Sequence, residues 1–179
     1  MLEPDGNWSK LPPNKASSVS TEYGEWLIQA FDYWFDTCSD VKLRRFEEII
    51  EHLLGGSGST EYFGVEPANL ITIATDGAYE AVDQIKSAYD GAEDIGLNVF
   101  DHSLEQVVSH PLIQQRLIGL KALSDECLAC EHKFTCGGGY YPHRYKESNG
   151  FKNPSIYCAD YKLLFAHIRN RLKMELNNA

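Results

Sequence analysis

The chain has 179 residues, of which 43% are hydrophobic and 23% charged, enough for one real core and for one or two units of ordinary domain size. Sixteen basic against twenty-six acidic residues give a formal net charge of -10 and a pI near 5.0, which disfavours nucleic acid as a partner and is accounted for by solubility. No apolar run approaches the roughly 20 residues of a membrane helix, so no membrane partner is expected, and the opening MLEPDGNWSKLPPNK lacks the pattern of a signal peptide.

The expected setting is therefore a reducing cytoplasm. There, five cysteines argue against a disulfide framework, and four ligands with one spare thiol fit better. Residues 1–19, rich in Pro, Asn, Ser and Lys, read as an arm with Trp8 as its anchor. From Thr21, the positions Tyr23, Trp26, Leu27, Ala30, Phe31, Trp34 and Phe35 follow helical spacing, with Ser20 or Thr21 as the cap. Such a stripe reads first as core, and so many aromatics on one helix also suggest cover from outside, either self-association through 21–37 or a separate partner domain.

A second stripe, Phe46, Ile49, Ile50, Leu53 and Leu54, runs into Gly55-Gly56-Ser57-Gly58-Ser59, which ends the helix and sets a boundary near residue 60. Leu70-Ile71-Thr72-Ile73-Ala74 followed by Asp76-Gly77 predicts a hairpin closing onto Ala78. Asn98-Val99-Phe100 is a candidate strand, and His110-Pro111 predicts a helix running through Leu120. From Cys158, the positions Tyr161, Leu164, Phe165, Ile168, Leu172 and Leu176 predict a terminal helix with a cysteine at its start, where the helix dipole favours a thiolate.

Between these helices lies Cys127-Leu-Ala-Cys130-Glu-His-Lys-Phe-Thr-Cys136-Gly-Gly-Gly, a C-x2-C-x5-C pattern, with Cys158 22 positions further on. Four soft thiolates suit either a tetrahedral zinc ion or an iron–sulfur cluster, and spacing alone leaves both open. Zinc ribbons usually carry two C-x-x-C knuckles, so a lone Cys136 and a distant Cys158 tilt the reading toward iron. Gly137, Gly138 and Gly139 allow the backbone to curl close to an inorganic core. Cys38 reads as the spare thiol, and His132 and His143 as flanking side chains that zinc alone could recruit. No zinc-protease, phosphate-loop or nucleophile-elbow motif is present.

Longer stretches go beyond spacing. Tyr23-Gly24-Glu25-Trp26-Leu27, Thr75-Asp76-Gly77, Cys136-Gly-Gly-Gly-Tyr-Tyr-Pro-His-Arg-Tyr145 and Gly150-Phe151-x-Asn153-Pro154-Ser155-x-Tyr157-Cys158-Ala159-Asp160 resemble the C-terminal auxiliary-cluster half of radical SAM/SPASM peptide maturases of the FxsB type. The resemblance implies an α+β fold: residues 1–60 as a helical connector and residues 61–179 as a SPASM/twitch-like domain with a β-hairpin and helix. It implies one [4Fe–4S] cluster on Cys127, Cys130, Cys136 and Cys158, a radical SAM domain or subunit as partner, and a ribosomally made precursor peptide.

Two departures stand out. Tyr140 occupies the position of a further SPASM cysteine, and Ala78, Tyr79, Glu80, Ala81 and Val82 follow Gly77 where the resembled enzymes carry a ligand for another cluster. No C-x3-C-x2-C is present, so the residues imply no S-adenosylmethionine-cleaving centre of their own. The alternative is a noncatalytic binding module stapled by zinc or a cluster.

Overall fold

The computed structural model describes residues 17–38, 40–58, 62–67 and 70–178. Trp8, nearly all of the expected arm and the boundary placed at residue 60 lie outside them. Helices dominate, with one small antiparallel sheet, which is the expected mixture of α and β. Among the described residues no helix is long and apolar enough to cross a membrane.

Helix α1 (Glu22–Thr37) starts where the spacing places it, but Thr21 does not cap it. The Thr21 hydroxyl instead donates to Glu25 Oε1 at 3.0 Å. The amide that a capping side chain would normally satisfy, that of Gly24, donates to Asp160 Oδ1 at 2.9 Å, from the far end of the chain. An acidic group also suits the positive end of a helix. A Cβ on Gly24 would stand 2.8 Å from both the Cα and the carbonyl oxygen of Asp160, so the glycine permits the close approach.

Helix α2 (Arg44–Leu53) follows, and the chain leaves it through Gly55 at φ 87°. The terminal helix α7 (Cys158–Asn178) packs along α1 and α2. Leu27, Phe31, Trp34, Phe46 and Ile49 meet Ile156, Tyr157, Tyr161, Leu164, Phe165 and Ile168 in one core. The aromatic stripe of α1 is thus largely covered by its own chain. Phe31 and Trp34 are buried, Tyr23 and Phe35 are half-buried, and Trp26 is 60% exposed. The surface that α1 leaves for association is accordingly narrow, centred on Trp26 and on Tyr33 two turns further along.

The predicted hairpin is present, β1 (Thr72–Ile73) pairing antiparallel with β2 (Ala78–Glu80) through a turn in which Gly77 has φ 85°. A third strand, β3 (Asp94–Asn98), pairs with β2 on its other side. It ends where the sequence suggested a strand would begin. Asn98 Oδ1 accepts the Phe100 amide at 3.1 Å, an Asx turn that diverts the chain and leaves Phe100 exposed. Helix α3 (Leu104–Val108) carries a Ser103/Gln106 capping box that the spacing analysis passed over. Helix α4 (Pro111–Leu117) is capped by His110 and stops before Leu120, since Gly119 turns left-handed at φ 54°. Tyr79, Ile85, Ile95, Val107, Ile113 and Phe151 make a second core beneath the sheet.

The Gly24 contact sets a stability expectation. Gly24→Ala should lower unfolding stability in urea by about 1–3 kcal/mol, because backbone atoms on both helices must separate. Trp26→Ser, on the exposed side of the same helix, should stay within about 0.5 kcal/mol of the parent.

Candidate metal centre

Three short elements and the start of α7 carry the four cysteines. Helix α5 (Asp125–Leu128) begins at Ser124, whose hydroxyl accepts the Cys127 amide at 3.3 Å. The Cys130 amide donates to the Cys127 carbonyl at 3.2 Å, which curls the C-x-x-C segment into a single turn. Helix α6 (Lys133–Cys136) ends in a left-handed Gly137 at φ 57°, and Gly138 and Gly139 follow at 84° and 72°. Three consecutive residues in this region suit glycine alone. The Gly139 amide returns to the Cys136 carbonyl at 2.8 Å.

Cys127, Cys130, Cys136 and Cys158 all line one pocket, together with Gly138, Ser155, Tyr161 and Lys162. Cys38 is not among its walls; it sits at the end of α1, with its Sγ 3.4 Å from Thr37 Oγ1. Of the two histidines, His132 does line the pocket. It is buried, its ring centroid lies 5.6 Å from that of Phe165, and Arg169 Nη2 stands 3.4 Å from its Nδ1. His143 is absent from those walls and packs between Tyr140 and Tyr157.

Burial pushes the Cys136 thiol up to about 12, with Arg144 pulling the other way. Burial also raises the Cys158 thiol, against the pull of Lys162 one turn along α7. The helix start is expected to favour a thiolate at Cys158; burial is the largest influence on that thiol and acts the other way, with Cys127 and Cys130 adding to it. Such thiols are poor nucleophiles but remain competent ligands, since a metal displaces the protons on binding. The donor set fits a thiophilic metal centre, with four soft sulfurs, cationic Arg144 and Lys162 beside them, and a glycine turn whose Gly138 amide hydrogen-bonds to Cys136. Among the described residues, no three Cys, His, Asp or Glu side chains converge tightly enough to hold a single metal ion.

No family model matches the chain. Its structure is similar to that of anSMEcpe, a SPASM/twitch radical SAM maturase, solved natively with bound AdoMet. The TM-score is 0.72 at 20% sequence identity, over 99% of this chain and 48% of the other. Structures of anSMEcpe with AdoMet and the Kp18Cys or Cp18Cys peptide match equally well, each with TM-score 0.71 and at 21% and 20% identity. This chain has the fold of about half of anSMEcpe. It spans under half the length of each of these solved structures, so what the remainder of those proteins does is not carried by this fold.

At Tyr140, where the resembled pattern has a further cysteine, this chain has a packed aromatic. Tyr140 stacks on Tyr62 with ring centroids 4.5 Å apart, under the guanidinium of Arg45, which lies 3.9 Å from the Tyr62 centroid. Tyr79 is buried in the second core. Two residues beside the site, Arg144 and Asp160, lie inside the motifs that carry the resemblance but show no local signal of their roles; the partner of Asp160, Gly24, is 136 residues away.

His143 is held neutral. Burial, helped by the nearby charge of Arg45, lowers its pKa from the usual 6.5 to about 3. The unfolded chain therefore takes up this proton first. Stability from His143 is complete above about pH 6.5 and is lost as the pH falls toward about 3. In metal-stripped protein, His143→Phe should flatten the decline of the melting temperature between those limits relative to the parent.

Proposed function

We propose that this chain is an auxiliary-cluster domain of a radical SAM peptide-modifying system, related to the FxsB type, in which Cys127, Cys130, Cys136 and Cys158 hold one [4Fe–4S] cluster. The observation that carries the reading is the convergence of these four thiols on one pocket, in a fold shared with a SPASM/twitch maturase. A cluster is favoured over zinc on the ligand pattern, since zinc ribbons usually carry two C-x-x-C knuckles, whereas a lone Cys136 and a distant Cys158 complete the set here. When bound, such a cluster would supply one-electron redox chemistry and a four-point cross-link.

The chain's own residues would hold that centre and help position a precursor peptide. Support for a peptide partner comes from the anSMEcpe structures that contain one. With no C-x3-C-x2-C segment, radical generation would fall to a separate domain or subunit. The zinc-stapled binding module remains the competing reading, and metal analysis separates the two.

Protein purified anaerobically and reconstituted with iron and sulfide should carry about four of each per chain and bleach reversibly on reduction. Replacing any one of the four pocket cysteines by alanine should lower iron content, whereas Cys38→Ala should leave it unchanged. Full loading in Cys158→Ala would sink the four-ligand site, and a colourless, zinc-loaded protein would favour the staple. With dithionite and S-adenosylmethionine, the loaded chain alone should yield no 5′-deoxyadenosine above a blank.

A further inference from the structure

Arg144 is a buried cation without a carboxylate. Its side chain runs beneath the turn after Cys136, donating from Nε and Nη2 to the Gly139 carbonyl at 3.2 and 2.9 Å and from Nη2 to the Gly137 carbonyl. A Cβ on Gly138 would stand 2.7 Å from its Cζ, so the guanidinium lies flat against the turn. The Tyr141 ring is on its other flank, 5.1 Å from Cζ to the centroid. Among the described residues no Asp or Glu pairs with it, and the turn that it holds is the one that directly follows Cys136. Two carbonyls satisfy donors but supply no counter-charge, and a buried charge left uncompensated is costly.

Resting on the thiolate-cluster reading above, we propose that Arg144 is the fixed counter-charge of the metal centre. It both shapes the glycine turn that presents Cys136 and neutralises part of the negative charge that the ligated thiolates bring into the pocket. The guanidinium is suited to this place because it stays protonated when buried and its planar fork reaches two carbonyls at once. A thiolate-ligated cluster gains a further negative charge on reduction. A cation held beside it stabilises the reduced form more than the oxidised one, so Arg144 raises the reduction potential. Arg144 is thus a positioning and charge-setting residue, with no contact to substrate implied.

Two variants separate charge from shape. Arg144→Met removes the charge and the fork, while Arg144→Lys keeps the charge and loses the fork. The midpoint potential and the rise in Tm on loading are measured on the full chain of each. Arg144→Met should lower the potential by at least 59 mV, a tenfold change in the one-electron equilibrium, and should shrink the Tm rise, whereas Arg144→Lys should keep both near the parent. A merely structural arginine would lower the Tm of the stripped and loaded forms together, leaving the rise and the potential unchanged, and that result overturns the proposal. If Arg144→Met fails to fold, Arg144→Gln, which removes the charge but keeps hydrogen-bond donors for the turn, carries the test: a drop of 59 mV or more supports the counter-charge, and a parental potential overturns it. Should the parent load zinc in place of iron, the cluster reading fails by itself. The Tm rise on zinc loading then decides the counter-charge by the same comparison, since four thiolates carry the negative charge in either case.

Discussion

The placement of the candidate centre depends on a helix cap delivered across the fold. Helix α1 has no side-chain cap of its own, and its third amide, on Gly24, is satisfied by Asp160, which is fully buried two residues after Cys158. A hydrogen bond to a charged group is worth about 1.5–3 kcal/mol, and here it acts with the dipole of α1. The bare glycine lets the two backbones close, so the start of α7 is held against α1 in axial position and rotation. Because Cys158 is the first residue of α7, fixing that start also fixes where its thiol points. The apolar contacts of Phe31, Leu164, Phe165 and Ile168 add strength along the rest of the helix pair, but such contacts are non-directional and would tolerate a slide.

A second constraint shapes the opposite wall. The loop 62–67 presses its backbone onto the turn after Cys136, with the Gly64 amide donating to the Thr135 carbonyl at 3.1 Å. A Cβ on Gly137 would fall within 1.4 Å of the Gly64 oxygen, so side chains are barred there by a neighbouring backbone as well as by the positive φ. Phe63 anchors the loop from the other side, its ring 5.2 and 5.3 Å from those of Tyr161 and Phe165. Tyr161 and Phe165 also line the pocket of the four cysteines. One aromatic cluster therefore ties the loop, the glycine turn and the cysteine-bearing helix together.

Tyr140, at the position of a further cysteine in the resembled pattern, and Tyr79, in the segment after Gly77, are both committed to packing. Each is held by packing: Tyr79 under the sheet, and Tyr140 in the stack with Tyr62 and Arg45. A thiol in either place would forfeit ring contacts and leave space unfilled. The pocket that remains is the one whose walls are furnished by two helix starts and a glycine turn.

Much of this was legible in the sequence because it is local. The 3.6-residue stripes of α1, α2 and α7, the Asp76-Gly77 hairpin, the proline at the start of α4 and the glycine run after Cys136 each have a short-range cause, and all are present. The strand ending at Asn98 and the early stop of α4 were misplaced because a single Asx turn and a single left-handed glycine override a propensity spread over several residues. What the sequence determined by itself was the elements with a local signal and the four candidate thiols. Only the tertiary structure decided that those thiols share a pocket while Cys38 does not, that burial raises the Cys158 thiol, and that Asp160 and Arg144 serve α1 and the glycine turn. Burial and counter-charge are set by atoms brought close in space from distant parts of the chain, and no local period in the sequence encodes them.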